Sequence, residues 1–94
     1  MSTLFTPDEI TGKLAELSQW TVTDSELHRT FEFKNFAQAL VFVNEVGALA
    51  EAKNHHPDID IRWNKVHLHL ATHSAGGLTT LDFDLATQID RIDT

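Results

Sequence analysis

Between Ile59 and Thr72 the chain alternates apolar and polar residues in two consecutive runs, and this pattern does most to limit what it can fold into. Ile59, Ile61 and Trp63 alternate with Asp60 and Arg62, while Val66, Leu68, Leu70 and Thr72 alternate with His67, His69 and Ala71. A period of two marks strands with one face buried and the other wet. Only Asn64-Lys65 separates the runs, which predicts a tight hairpin turn. A second pair lies upstream. Trp20-Thr21-Val22 reads as a short strand and Asp24-Ser25 as its turn. From Leu27 to Phe33, Leu27, Arg29, Phe31 and Phe33 share one side, with His28, Thr30 and Glu32 on the other.

Helix signals fill the remaining segments. Thr6 and Glu9 have capping-box spacing, and Pro7 stands at the first helical position, where its missing N–H costs nothing. Ile10, Leu14 and Leu17 recur on one face of a helix that should stop before Trp20. Asn35 can cap a longer helix running to about Lys53. Its expected buried stripe is Phe36, Leu40, Val43, Gly47 and Ala50, with Ala39 and Val46 beside it. In Asn54-His55-His56-Pro57 the proline pushes His56 out of the helical region. Ser74 to Gly77 reads as a loop. Thr79, with Asp82 three residues on, caps a last helix whose apolar stripe is Leu81, Leu85, Ile89 and Ile92. The order α-β-β-α-β-β-α predicts an α+β fold. Residues 1–94 are expected to form a single two-layer domain, a four-stranded antiparallel sheet with three helices on one face.

Composition narrows the function. A chain of 94 residues buries a thin core, so self-association would add useful burial. No cysteine is present, which removes disulfides, thiolate metal sites and thiol nucleophiles, and suits a reducing cytoplasm. The N-terminus lacks the basic start and apolar run of a signal peptide, and the longest apolar stretch, Ala39 to Val43, is far too short to span a membrane. A net charge of −7 with no basic cluster argues against direct nucleic-acid binding.

Five of the six histidines crowd into the span from His55 to His73. Pairing across the Asn64-Lys65 turn puts residues near 57 and 72 at the same open end of a hairpin. His73 therefore returns towards His55 and His56. Histidine titrates nearest neutrality, so such a group can donate and accept protons within one turnover. The other histidines have plainer readings. His28 has the parity of an exposed strand position. His67 and His69, at i and i+2, could hold a metal but sit on a solvent-facing strand side.

The run Glu51-Ala52-Lys53-Asn54-His55-His56-Pro57, then Trp63-Asn64-Lys65-Val66, Thr72-His73, Gly77-Leu78-Thr79 and Asp82 resembles the signature of the pterin-4a-carbinolamine dehydratases. Every spacing of that pattern is met. One departure stands out: many members carry a tryptophan two residues after the proline, where this chain has Ile59. An aromatic wall of the pocket is then either absent or supplied by Trp63.

The resemblance implies a hydro-lyase that converts 4a-hydroxytetrahydrobiopterin to quinonoid dihydrobiopterin and water, with neither metal nor organic cofactor. That reaction recycles the pterin of aromatic amino acid hydroxylases. It implies catalysis by His55, His56 and His73, and a substrate site of Glu51, His55, His56, Pro57, Thr72, His73, Ser74 and Asp82, in which Glu51 and Asp82 orient histidines or bind the amino-pyrimidine edge. It also implies a cytoplasmic homodimer or homotetramer. Some animal members additionally bind a homeodomain transcription factor. Two other readings compete: a non-catalytic regulatory or binding module of the same fold, and a small metalloprotein using His67, His69 and His73.

Overall fold

The computed structural model describes residues 3–92. Helix α1 (Pro7–Leu14) is followed by strands β1 (Thr21–Thr23) and β2 (Glu26–Glu32), then by the long helix α2 (Phe36–Lys53). Strands β3 (Asp58–Arg62) and β4 (Lys65–Leu70) come next, then a short 3-10 turn at His73–Ala75 and helix α3 (Thr80–Asp90). The strands form one antiparallel sheet in the order β1-β2-β4-β3. The two hairpins thus lie side by side, joined through β2 and β4, and the helices cover one face. Among the described residues no helix is long and apolar enough to cross a membrane.

Register follows from the alternation. Leu27 pairs with Leu70, Arg29 with Leu68 and Phe31 with Val66 on the covered face. Leu27, Val66, Leu68 and Leu70 are buried there with Leu85, Ile89 and Leu78. Full burial of each such side chain stabilises the fold by about 1.5–3 kcal/mol. On the open face His28 pairs with His69 and Thr30 with His67. Asp90, at the end of α3, ties that helix to the sheet by accepting from Trp20 Nε1 at 2.8 Å and from the Arg29 guanidinium at 2.6 Å.

The three caps read from sequence are present. Thr6 with Glu9 and Thr79 with Asp82 each form a reciprocal capping box, and the Asn35 side chain accepts from Gln38 N. Two expectations need correction. The turn of the second hairpin is Trp63-Asn64, because Arg62 pairs directly with Lys65. Trp63 adopts a left-handed φ of 51° there, 65% exposed. Asn64 explains the shift: it pins the turn to the end of β2, accepting from Phe33 N and donating Nδ2 to Phe33 O.

The second correction concerns α2. Its buried residues are Ala39, Phe42, Val46 and Ala50, whereas Phe36 and Leu40 are exposed. Ala50 is buried as expected, and so are Ala39 and Val46, but the stripe is turned towards their side of the helix, taking in Phe42 and leaving out Phe36 and Leu40. This helix is apolar on several sides, so periodicity left its rotation undetermined. The aromatic residues of β2 decide it, since the Phe42 ring packs 4.6 Å from Phe31 and 4.9 Å from Phe33.

Candidate active site

The site begins where α2 ends. Asn54 takes a left-handed conformation (φ 50°) that any residue other than glycine, asparagine or aspartate finds costly, and its N–H closes on Ala50 O and Glu51 O. The reversal turns His55 and His56 towards the end of β4. From the other side, Thr72 and Gly77 form an isolated bridge that folds the intervening segment into a tight loop carrying His73. Gly76, at φ 79°, supplies the left-handed step in that loop. These segments enclose a cavity of about 350 Å³, near the low end of ligand-binding pockets. Its lining is Asn54, His55, His56, Ala71, Thr72, His73, Ser74 and Leu81.

The histidines are held unequally. The His55 side chain is 11% exposed, and its Nε2 lies 2.6 Å from Oδ1 of Asp82, which is fully buried. Asp82 Oδ2 accepts from Thr72 Oγ1 at 2.8 Å and from Thr79 N at 2.9 Å. An ionised carboxylate offers only acceptors, so His55 donates to Asp82 from Nε2. Thr72 donates to Asp82, so Thr79 Oγ1–H donates to Thr72 Oγ1 at 2.8 Å and continues the chain. No buried side-chain polar atom among the described residues lacks a partner. His56 Nε2 pairs with Glu51 Oε2 outside the cavity, where both side chains are more than half exposed. His73 is exposed on the 3-10 turn.

Of the residues expected at the substrate site, His55, His56, Thr72, His73 and Ser74 line the cavity. Asp82 lies beneath His55 and Glu51 beside His56, each on a histidine nitrogen. Pro57 is not in the lining. Asn54, Ala71 and Leu81 are lining residues that sequence reasoning missed. The left-handed cap was a usable signal for Asn54, because asparagine at the end of a helix commonly fills it. Trp63 does not wall this cavity, since it occupies the closed end of the hairpin whose open end carries the site.

The remaining histidines gather elsewhere. His28 stacks on His69 at 4.4 Å and lies 6.1 Å from His67, all on the open sheet face. Thr30 Oγ1 is 2.8 Å from His67 Nδ1, and His69 Nδ1 is 3.5 Å from Glu26 Oε1. Among the described residues no three potential ligands are placed to share a metal ion. The grouping of His67 and His69 with His73 is not the one found.

A sequence model of the family described as pterin 4 alpha carbinolamine dehydratase matches residues 3–92. The chain belongs to that family. A Roseiflexus sp. (strain RS-1) protein bearing the pterin-4-alpha-carbinolamine dehydratase name is 54% identical over 92 residues, covering 98% of this chain and 99% of its own length. A Picosynechococcus sp. (strain ATCC 27264) relative with the same name is 48% identical over 92 residues, covering 98% of this chain and all of its own. Among solved structures, a transcriptional coactivator/pterin dehydratase from Brucella melitensis superposes with a TM-score of 0.90 at 33% identity, covering 94% of this chain and 96% of its own. A pterin dehydratase-like protein, described as a RuBisCO assembly factor in the alpha-carboxysome, shares the fold at a TM-score of 0.62 and 24% identity, over 76% of this chain and 82% of its own. With full-length relatives named in this way, the pterin-4a-carbinolamine dehydratase-like chain is an enzyme of the hydro-lyase class.

Proposed function

We propose that this chain dehydrates 4a-hydroxytetrahydrobiopterin to quinonoid dihydrobiopterin by histidine acid–base catalysis, returning the pterin to aromatic amino acid hydroxylases in the cytoplasm. One observation carries the reading: three imidazoles border one small cavity, two of them fixed through Nε2 by carboxylates. The chemistry needs such a set. Hydroxide leaves poorly, so the carbinol oxygen takes a proton from a general acid as the C–O bond breaks and water departs. The neighbouring ring N–H gives its proton to a base, and its electron pair forms the C=N bond. His55, His56 and His73 supply the acid and base. Asp82 fixes the tautomer and orientation of His55, Glu51 does so for His56, and Thr72 and Ser74 border the heterocycle.

Stopped-flow dehydration of chemically generated 4a-hydroxytetrahydrobiopterin tests the reading. Turnover well above the spontaneous rate is expected. A rate equal to the spontaneous one would favour the non-catalytic binding module, a reading kept open by the fold shared with the assembly factor. Self-association belongs to the same proposal. Phe36, Leu40 and Val41 leave an apolar flank of α2 exposed, and β3 is a sheet edge carrying the half-exposed Ile59. Light scattering should give a mass above the 10.6 kDa of one chain, and a strict monomer at micromolar concentration would refute this part.

A further inference from the structure

We infer that Thr79 is a positioning residue for the dehydration, holding His55 through Thr72 and Asp82; this rests on the dehydratase reading above. Helices α1 and α3 open with the same device. In α1 the Thr6 side chain accepts from Glu9 N, and the Glu9 side chain accepts from Thr6 N at 2.8 Å, with both residues exposed. That box serves the end of its own helix. In α3 the box is folded into the interior, where Thr79 and Asp82 are fully buried and Thr72 is 5% exposed. A buried capping box must find protein partners for its polar atoms, and here those partners lead to the cavity.

The two oxygens of Asp82 have different partners. Oδ1 lies 2.6 Å from His55 Nε2. Oδ2 accepts from Thr79 N at 2.9 Å and from Thr72 Oγ1 at 2.8 Å. Both donors on Oδ2 depend on Thr79. One is its own N–H, fixed by the start of α3. The other is the Thr72 hydroxyl, whose oxygen lies 2.8 Å from Thr79 Oγ1 and accepts from it. The hydroxyl and methyl of a threonine are nearly equal in size, so packing alone does not decide which of them faces Asp82. The Thr79 hydroxyl helps to decide it. Its oxygen accepts from Leu81 N at 3.3 Å, and its O–H points a proton at Thr72 that only an oxygen can accept. With Oδ2 saturated by these donors and Asp82 fully buried, Oδ1 remains for His55 at the cavity. Thr79 itself does not line that cavity, so its effect on the reaction passes through the hydrogen bonds. Bonds in such a buried chain polarise one another, and losing one member weakens the rest.

The test is stopped-flow dehydration of 4a-hydroxytetrahydrobiopterin by the full chain and its variants, below the melting temperature of each. Thr79→Val and Thr79→Gly both remove the hydroxyl. Valine keeps the volume, and glycine is tolerated at a helix cap, so the two stress the fold in different ways and either can complete the test. Each should lower kcat about tenfold with KM within about twofold of wild type, the scale of one hydrogen bond lost from a buried network. Thr79→Ser keeps the hydroxyl and should restore wild-type kcat. Thr6→Val breaks the exposed box, and should lower the melting temperature while leaving kcat unchanged. A double-mutant cycle then asks what Thr79 acts through: in an Asp82→Asn background, loss of the Thr79 hydroxyl should lower kcat by less than about twofold. Wild-type kcat in Thr79→Val or Thr79→Gly would overturn the inference. So would a Thr79→Ser enzyme as slow as Thr79→Val, an equal loss of kcat in Thr6→Val, or an undiminished tenfold loss in the Asp82→Asn background. Each of these outcomes leaves the dehydratase reading intact. Turnover by the wild-type chain at only the spontaneous rate would overturn that reading, and this inference with it.

Discussion

The six histidines divide into two groups of three that differ in everything except residue type. His55, His56 and His73 border a cavity, and the first two have one nitrogen fixed by a carboxylate. His28, His67 and His69 lie across an open sheet face, stacked on one another, with Thr30 and Glu26 as polar neighbours. The difference lies in what surrounds each imidazole. In the proposed mechanism each imidazole borders a space that a substrate can fill, and for His55 and His56 a carboxylate on one nitrogen sets the tautomer that the other presents. On the open face His67 Nδ1 lies 2.8 Å from Thr30 Oγ1 and His69 Nδ1 3.5 Å from Glu26 Oε1, but these rings face each other and solvent and not the cavity.

The largest effect should come from breaking the cavity group. His55→Ala and His73→Ala should each lower kcat by about 10²–10⁴-fold, the usual cost of losing a general acid or base. His55 lies in a loop and His73 is exposed on the short 3-10 turn, outside the α-helices and strands, so circular dichroism should show a near-native fold. His67→Ala and His69→Ala should leave kcat within a few-fold of wild type, and EDTA should leave turnover intact. Wild-type kcat in His73→Ala would dissolve the distinction between the groups. Loss of turnover on chelation would bring back the metalloprotein reading.

A smaller effect sharpens the comparison by attacking the anchor. Asp82 is fully buried and satisfies His55, Thr72 and the cap of α3 at once. Asp82→Ala leaves those donors without an acceptor, and each orphaned buried group costs about 1–3 kcal/mol. Denaturant unfolding should show this loss. Asp82→Asn keeps the volume and one acceptor, so it should unfold later than the alanine variant. Its kcat should still fall, by less than in His55→Ala, because the imidazole remains but its tautomer is no longer enforced. An Asp82→Asn enzyme with wild-type kcat would make Asp82 a purely structural residue.

Much of this was legible in the chain itself, for identifiable reasons. The strands were readable because one face is wet, so Val66-His67-Leu68-His69 writes its geometry directly into residue type. Thr6, Asn35 and Thr79 were readable because caps are local chemistry. The rotation of α2 was not, because Phe42 and Leu40 are equally apolar and only the rings of Phe31 and Phe33 distinguish them. Trp63 was misplaced because its hydrophobicity continued the strand pattern, while the contact that sets the turn comes from Phe33, thirty residues earlier. At the site, the spacing of His55, His56 and His73 carried the grouping. The chain from Thr79 through Thr72 to Asp82 did not show, because hydroxyls that are indistinguishable in sequence acquire roles only through burial.

The smallest expected effect lies in the open-face group and concerns pH. Burial first, and then the neighbouring His69 and His67, hold the His28 imidazole below the ordinary histidine value of 6.5. In the unfolded chain this ring takes up its proton near 6.5, while in the folded protein it does so only at lower pH. Above about 6.5 the ring is neutral in both states and contributes nothing to the pH dependence. As pH falls through that value the unfolded state binds more protons than the folded one, so stability declines. The decline stops growing once the folded-state ring also protonates. His28→Gln removes the titration and keeps a polar side chain on the strand. Thermal melts between about pH 5 and 6.5 should therefore show a shallower fall of Tm with acid in His28→Gln than in wild type. His55→Gln, whose ring lies in the other group, serves as the comparison. Equal slopes in wild type and His28→Gln would mean that the stacked rings protonate without penalty, and the open face would then be electrostatically neutral ground rather than a strained cluster.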